Sequence, residues 1–509
     1  MATLRRGLGM GLPGFVRQRW LITALVLLLA TVLPLGRFGH SLWSDEATSV
    51  WFAQQPLPTL LTALCDPHPP GYYLLLKLWL RGGESEAWLR TLSLIAATGT
   101  ALLLLRWGRD LRLGDPYLGP LAALLLVTQP LQVWYAAEVR MYILAQALGL
   151  GMVMVAWYWL GQHLVSRRLA LAYTLLGILA FAADFGAVFA LVIAQALWLA
   201  RARPRPWLWL GVQIVVLGIS GLLWLGPGQW QTLRQSYHAI FLAVQARRLG
   251  LELSLAAANG LLRGGLALAI LLGLGLAWWW PRLRARLSAS PWALAVVGMW
   301  LVLLALASIP RLYSLKRQLV VLLPYAALLT ALALRRHRPG LALVLPAAGV
   351  ILSLLTLWQP PREPWRDVIT TEMAHLDTNT VVWVDDLVWP AVVYYMRRLG
   401  WSGPPAAVQP WIGSRLPELP TMTPPPGGEL WLLTMENPYR HLVKLLPASF
   451  AADYALIAAH HRDGIGFARW QRRSEPLDPP PTRPAPPPEA GWGLLLPSPL
   501  ASCPSPGLR

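Results

Sequence analysis

At 509 residues, 56% of them hydrophobic and 13% charged, the chain falls well below the roughly 25% charged composition of soluble domains. A mean hydropathy of +0.47 excludes a string of ordinary soluble domains and reads as a polytopic membrane protein. The net charge of +19 comes mostly from arginines between apolar runs, a topology signal rather than a base-reading face, so no nucleic-acid partner is expected. Only Cys65 and Cys503 are present, which excludes a disulfide framework and a thiolate metal site.

Arg5, Arg6, Arg17 and Arg19 precede an apolar run with no convincing small-residue cleavage site after it, so the first helix is expected to stay uncleaved. A spanning helix needs about twenty mostly apolar residues. Eleven segments qualify: about 20–36, 88–106, 118–134, 141–160, 169–183, 185–200, 207–226, 263–280, 292–308, 318–334 and 340–358. The 169–200 region reads as two short spans or one long one, because Asp184 needs a very tight turn. With the N-terminus cytoplasmic, the inside loops carry Arg106/Arg109/Arg112, Arg167/Arg168, Arg201/Arg203/Arg205, Arg282/Arg284/Arg286 and Arg335/Arg336/Arg338. The loops near 129–139 and 182–184 carry no Lys or Arg, so the positive-inside rule favours two spans there. The fold class expected is thus mainly α, a helical bundle of about eleven spans (residues 1–358) in the inner, plasma membrane.

The loop at 37–87 and everything past 359 then lie outside. Residues 359–474 are more charged and show strand-like stretches at Thr380–Val384 and Glu429–Thr434 and a helix at Trp389–Arg398. They read as a small extracytoplasmic α/β domain. Residues 475–509 are Pro-rich and read as a disordered tail.

The strongest chemical signal runs from Leu42 to Trp79. Asp45-Glu46 follows the first span directly, flanked by Trp43 and Trp51 as interfacial anchors. A carboxylate pair beside a low-dielectric surface is costly unless solvated, paired or used, and such burial can lift a carboxyl toward general-base range. The bland alternative is a solvated pair at a helix end. Asp66-x-His68-Pro69-Pro70 comes about twenty residues later, with a Pro pair that makes a rigid turn and opens a helix at Gly71–Leu80. His68 is either a polar helix-end residue or a ligand or hydrogen-bond donor at a site. The sequence demands no cofactor. A divalent cation is the one it leaves room for, although the spacing is that of no recognised metal motif.

Glu138-x-Arg140-Met-Tyr142 lies in a short outer loop. Arg140 reads either as a snorkelling cation paired with Glu138 or as a bidentate clamp on a lipid phosphate. Arg311, Lys316 and Arg317 form an outer cationic cluster against the topology trend, suited to a phosphate or to an outer-leaflet headgroup.

Taken in order, W-S-D-E-A, D-x-H-P-P-x-Y-Y and E-x-R-M-Y carry a family likeness. The chain resembles the integral-membrane GT-C glycosyltransferases, specifically the family 39 set of protein mannosyltransferases, aminoarabinose transferases and their bacterial relatives. Lys316–Ala331 is similar to that set's helix with a mid-helix Pro, and E-P-W-R-D-V (Glu363–Val368) to the segment opening its outer domain. The resemblance implies inverting transfer of a sugar from a polyprenyl-phosphate donor to an acceptor on the outer face. It implies Asp45 and Glu46 as the catalytic acidic positions. Asp66, His68, Glu138, Arg140, Tyr142, Lys316 and Arg317 are the expected substrate-binding residues, with Arg140 and Arg317 on the donor phosphate. Two departures stand out: Gln318 follows Arg317 where the set has Tyr, and Asp184 stands where many relatives have His. The alternative readings are a lipid-linked sugar transporter or flippase, and a non-catalytic binding relative. The sugar, the acceptor and the carrier length are not legible.

Overall fold

The computed structural model describes residues 12–62, 68–111, 115–161, 166–201, 206–224, 317, 319–337, 340–357, 363–371, 379–385, 388–400, 408–411, 423–435, 448–462 and 465–474. These fall into two compact units. One holds the described residues of 12–39, 68–224 and 317–357; the other holds those of 40–62 and 363–474. Residues 40–62, from the expected first outer loop, thus cluster with residues 363–474.

The first unit is helical: α1 (Leu12–Leu35), α4 (Gly71–Trp79), α5 (Glu86–Asp110), α6 (Leu118–Val127), α7 (Pro130–Ala136), α8 (Tyr142–Gly161), α9 (Arg167–Ala183), α10 (Ala187–Arg201), α11 (Pro206–Trp224), α12 (Leu323–His337) and α13 (Leu341–Leu357). Large apolar side chains stand exposed along several of these helices, among them Leu28, Leu175, Trp207, Ile214, Leu343 and Ile351. Faces of this kind are stable against hydrocarbon and not against water, which fits a multi-pass membrane bundle.

By length and composition, α5 and α8 are the two described helices able to cross a membrane unaided, so the count of eleven spans stays an expectation. Spans 263–280 and 292–308 lie outside the described residues. The single span expected at 118–134 is two helices. Gln129 caps α7, its side chain accepting the Gln132 N–H at 2.9 Å, and Pro130 takes the first helical position, where its missing N–H costs nothing. The doubtful 169–200 region is also two helices, α9 and α10, parted at Asp184.

Packing in this unit relies on small residues and buried amides, as expected where hydrophobicity cannot drive helix association. A Cβ at Gly108 would fall 2.2 Å from Gly119 Cα, so α5 and α6 meet backbone to backbone. Gln146, fully buried in α8, donates to Gln132 Oε1 on α7 at 2.8 Å and to the Val320 carbonyl at 2.7 Å, and Gln132 donates back at 3.1 Å. Tyr325 Oη in α12 donates to the Gly149 carbonyl of α8 at 3.2 Å, close to where Gln146 holds Val320 just ahead of α12.

The second unit holds α2 (Ser44–Gln54), α3 (Leu57–Thr62), α14 (Trp365–Thr371), α15 (Trp389–Arg398), α16 (Ala448–Asp453) and a five-stranded sheet. Its strands are β1 (Val381–Asp385), β2 (Val408–Trp411), β3 (Glu429–Met435), β4 (Tyr454–Arg462) and β5 (Ile465–Arg472), in the order β2-β1-β3-β5-β4. β1 runs parallel to β2 and β3, whereas β5 lies antiparallel between β3 and β4. Alternation along the strands sends Trp383, Leu432 and Trp470 to one core with Phe450 of α16. Val50 of α2 and Leu60 of α3 are buried, while Leu57 and Leu61 of α3 stand exposed. The Pro-rich residues 475–509 lie outside the described residues.

Candidate active site

The stretch leading into α2 is held by residues more than three hundred positions away. The Leu42 N–H donates to Tyr395 Oη at 2.6 Å, and the Arg366 N–H donates to Ser41 Oγ at 3.3 Å. Ser44 donates to Glu363 Oε2 through its backbone N–H at 3.0 Å and through its hydroxyl. The Trp365 indole N–H donates to the same oxygen at 2.7 Å.

Glu46 is 1% exposed, and its Oε2 accepts the Trp43 N–H at 3.3 Å, the reach-back half of a capping box. Asp45 lies between these two tethered neighbours, half-buried in the first turn of α2, where the helix dipole favours a carboxylate. Burial pushes the Glu363 carboxyl above its ordinary range. The hydrogen bonds from Ser44 and Trp365 oppose that shift, and the negative charge of Asp45 adds to it.

In the other unit a polar chain is buried at the N-terminus of α4. The double proline ends in a turn at Pro70, and α4 begins at Gly71, where a Cβ would lie 2.5 Å from the Ala182 carbonyl oxygen. Only a glycine lets α4 touch the end of α9 this closely, and the contact brings His68 to Asp184. His68 Nδ1 lies 3.1 Å from Asp184 Oδ2, and Asp184 is fully buried. Asp184 Oδ1 accepts the Gly186 N–H at 2.6 Å, the bond that closes the tight turn between α9 and α10. On the far side of the ring, His68 Nε2 lies 3.4 Å from an Arg140 terminal nitrogen, which also donates to Tyr142 Oη at 3.4 Å. Phe185 stacks on the imidazole at 5.5 Å between centroids, and Tyr142 meets it edge-on at 6.2 Å.

Of the expected substrate-binding residues, His68, Arg140 and Tyr142 therefore gather at one place, joined by Asp184. Glu138 is buried and accepts the Trp134 indole N–H at 2.7 Å, and its backbone carbonyl accepts from Ser93 Oγ at 2.5 Å. Arg37 lies over the Trp134 ring at 3.5 Å, and Arg90 donates to the carbonyls of Arg37 and Phe38 at 3.2 and 3.1 Å, capping the exit of α1. Arg317 is half-buried just ahead of the segment that the Gln146 clasp holds at Val320. Asp66, Lys316 and Arg311 lie outside the described residues.

Among the described residues, no group of three or more His, Cys, Asp or Glu could hold a metal ion. The divalent cation that the sequence leaves room for finds no donor set there. Glu363 and Asp184 are the polar groups to which sequence reasoning assigned no role. Their signals were faint: a carboxylate just past the last span, and one in a turn too short to be solvated loosely.

No protein-family model matches the sequence, and no curated protein does. The chain is similar to the crystal structure of ArnT from Cupriavidus metallidurans bound to undecaprenyl phosphate, with a TM-score of 0.42 and 14% identity over 90% of this chain and 98% of that one. The apo structure of the same protein gives a TM-score of 0.43 at 14% identity, again over 90% and 98% of the two chains.

Proposed function

We propose that this chain is a multi-pass membrane glycosyltransferase that moves a sugar from a polyprenyl-phosphate donor to an acceptor on the outer face, inverting the anomeric carbon. The observation that carries the reading is the setting of Asp45. Ser44 on one side is bound to Glu363, Glu46 on the other caps the Trp43 N–H, and Asp45 between them keeps solvent access. A carboxylate on a backbone fixed in this way suits a general base, which works only from a defined position.

Asp45 takes the proton of the acceptor hydroxyl or amine as its lone pair attacks the anomeric carbon. The bond from that carbon to the phosphate oxygen breaks, and its electron pair leaves on the polyprenyl phosphate. Negative charge grows there, and a guanidinium stabilises it more in the transition state than in the donor. By resemblance, Arg140 and Arg317 meet that charge, with Lys316 beside them. Glu46 is a positioning residue, because its carboxylate already holds the helix start. The orientation that suits the arginine-rich loops has the N-terminus in the cytoplasm and residues 359–474 outside.

The test is turnover of a polyprenyl-phosphate sugar by the purified chain in lipid, read as release of polyprenyl phosphate. Release that disappears in a folded, inserted Asp45→Asn variant is the expected result. Near-normal release from that variant would remove Asp45 from the chemistry.

A further inference from the structure

The chain from Asp184 through His68 to Arg140 does more than fill space. A carboxylate only accepts, so with Asp184 as the carboxylate the atom of His68 that faces its Oδ2 at 3.1 Å is the one to carry the proton, Nδ1–H donating to Asp184. The ring is then bare at Nε2. That lone pair faces an Arg140 terminal nitrogen at 3.4 Å, which has only protons to offer, so the guanidinium donates and the imidazole accepts. Phe185 stacked on one face of the ring holds it in this plane.

We propose that Asp184 is a positioning residue for phosphate binding: it sets the His68 tautomer, which in turn orients the Arg140 guanidinium toward an anionic phosphate ligand. The inference rests on the reading that Arg140 meets the donor phosphate. A guanidinium binds phosphate through two parallel N–H groups, so the plane of the fork decides whether the bond is single or double. With Asp184 in place, His68 accepts one Arg140 proton and fixes that plane. With the opposite tautomer, Nε2–H would point at the Arg140 N–H groups, donor against donor, and the fork would turn away.

Asp184→Asn separates this role from a structural one. The asparagine keeps an oxygen for the Gly186 N–H, so the turn between α9 and α10 stays closed. It places an NH2 where Oδ2 was, and that donor forces the proton from Nδ1 to Nε2. The same isosteric change inverts a histidine tautomer in the serine-protease triad and leaves the geometry intact.

The experiment is two measurements on full-length protein in nanodiscs. The first is the nitrogen-15 spectrum of labelled histidines, with His68 assigned by its loss in His68→Gln. The second is affinity for a polyprenyl monophosphate in wild type, Asp184→Asn and Arg140→Ala. The expected result is His68 protonated at Nδ1 in wild type and at Nε2 in Asp184→Asn. Affinity should fall about ten- to a hundredfold in Asp184→Asn, the loss of one of two charge-assisted hydrogen bonds, and further in Arg140→Ala, which loses both. Wild-type His68 protonated at Nε2, or at both nitrogens, overturns the proposal, even where Asp184→Asn fails to insert. An inverted tautomer with unchanged affinity, alongside weakened binding in Arg140→Ala, overturns this inference and leaves the phosphate role of Arg140 standing. Unchanged affinity in Arg140→Ala removes the phosphate role itself, and this inference with it.

Discussion

Ser44 and Glu363 stand 319 positions apart in the chain, yet one carboxylate oxygen of Glu363 accepts both the backbone N–H and the hydroxyl of Ser44. The residue beside Ser44 is Asp45, so whatever holds Ser44 also fixes the backbone of the proposed base.

Glu363 should leave a pH signature on stability. Burial lifts its carboxyl above the ordinary value of 4.5, so the folded chain holds that proton more tightly than the unfolded chain does. Its contribution is full below 4.5 and is lost as the pH rises through the lifted value. Glu363→Gln, neutral throughout, should remove this slope and gain on wild type as the pH rises. Glu363→Ala, which deletes the acceptor of three hydrogen bonds, should lose about 1–3 kcal/mol at every pH. Thermal unfolding of the three proteins from about pH 4 to 8 reads both effects. Parallel curves for wild type and Glu363→Gln would show that Glu363 does not titrate as proposed.

Asp45 and Glu46 are neighbours with different work. Loss of a general base costs about a hundred- to ten-thousandfold in rate, and Asp45→Asn should fall in that range. Glu46→Gln keeps an oxygen for the Trp43 N–H and should retain most of the turnover. Glu46→Ala gives up the cap, at about 1 kcal/mol of stability. A rate loss in Glu46→Gln as large as that in Asp45→Asn would make Glu46 a chemical participant.

Gly71→Ala would drive a methyl into the Ala182 carbonyl. Backbone cannot yield as a side-chain tip can, so α4 should shift off α9 at about 1–3 kcal/mol. The His68–Asp184 bond should break with it, seen as a changed His68 nitrogen-15 signal. An unchanged signal with unchanged stability would mean that the contact is looser than the backbone geometry implies.

Gln146→Leu should lower stability by about 1–3 kcal/mol, because Gln132 and the Val320 carbonyl stay buried without their partner. Gln132→Leu/Gln146→Leu should recover part of that loss, since an apolar pair leaves fewer polar groups stranded. A double variant as unstable as the sum of the two single ones would rule out this coupling.

What could be read from the sequence was local. The proline pair ahead of Gly71 and the periodic helix at Trp389–Arg398 act through neighbours along the chain, and the structure has helices starting at both places. The break at Pro130 was written locally too, in Gln129-Pro130, but an apolar count over a span-length window passed across it. β4 and β5 escaped because the polar His460-His461-Arg462 in β4 and the run of four buried residues that opens β5 both depart from a period of two. The pairings that shape the candidate site span far greater separations. His68 meets Asp184 across 116 positions and Ser44 meets Glu363 across 319, and a single sequence carries no mark of which distant carboxylate answers which donor.

Residues 41–44 are synthesised well before their partners Glu363, Arg366 and Tyr395, which follow more than three hundred positions later in the chain. Asp45 therefore emerges without the contact that fixes its neighbour, and the setting of the proposed base is completed only after residue 363 has been made. A nascent chain stopped before residue 363 would lack the oxygen that holds Ser44, and with it the fixed backbone of the proposed base.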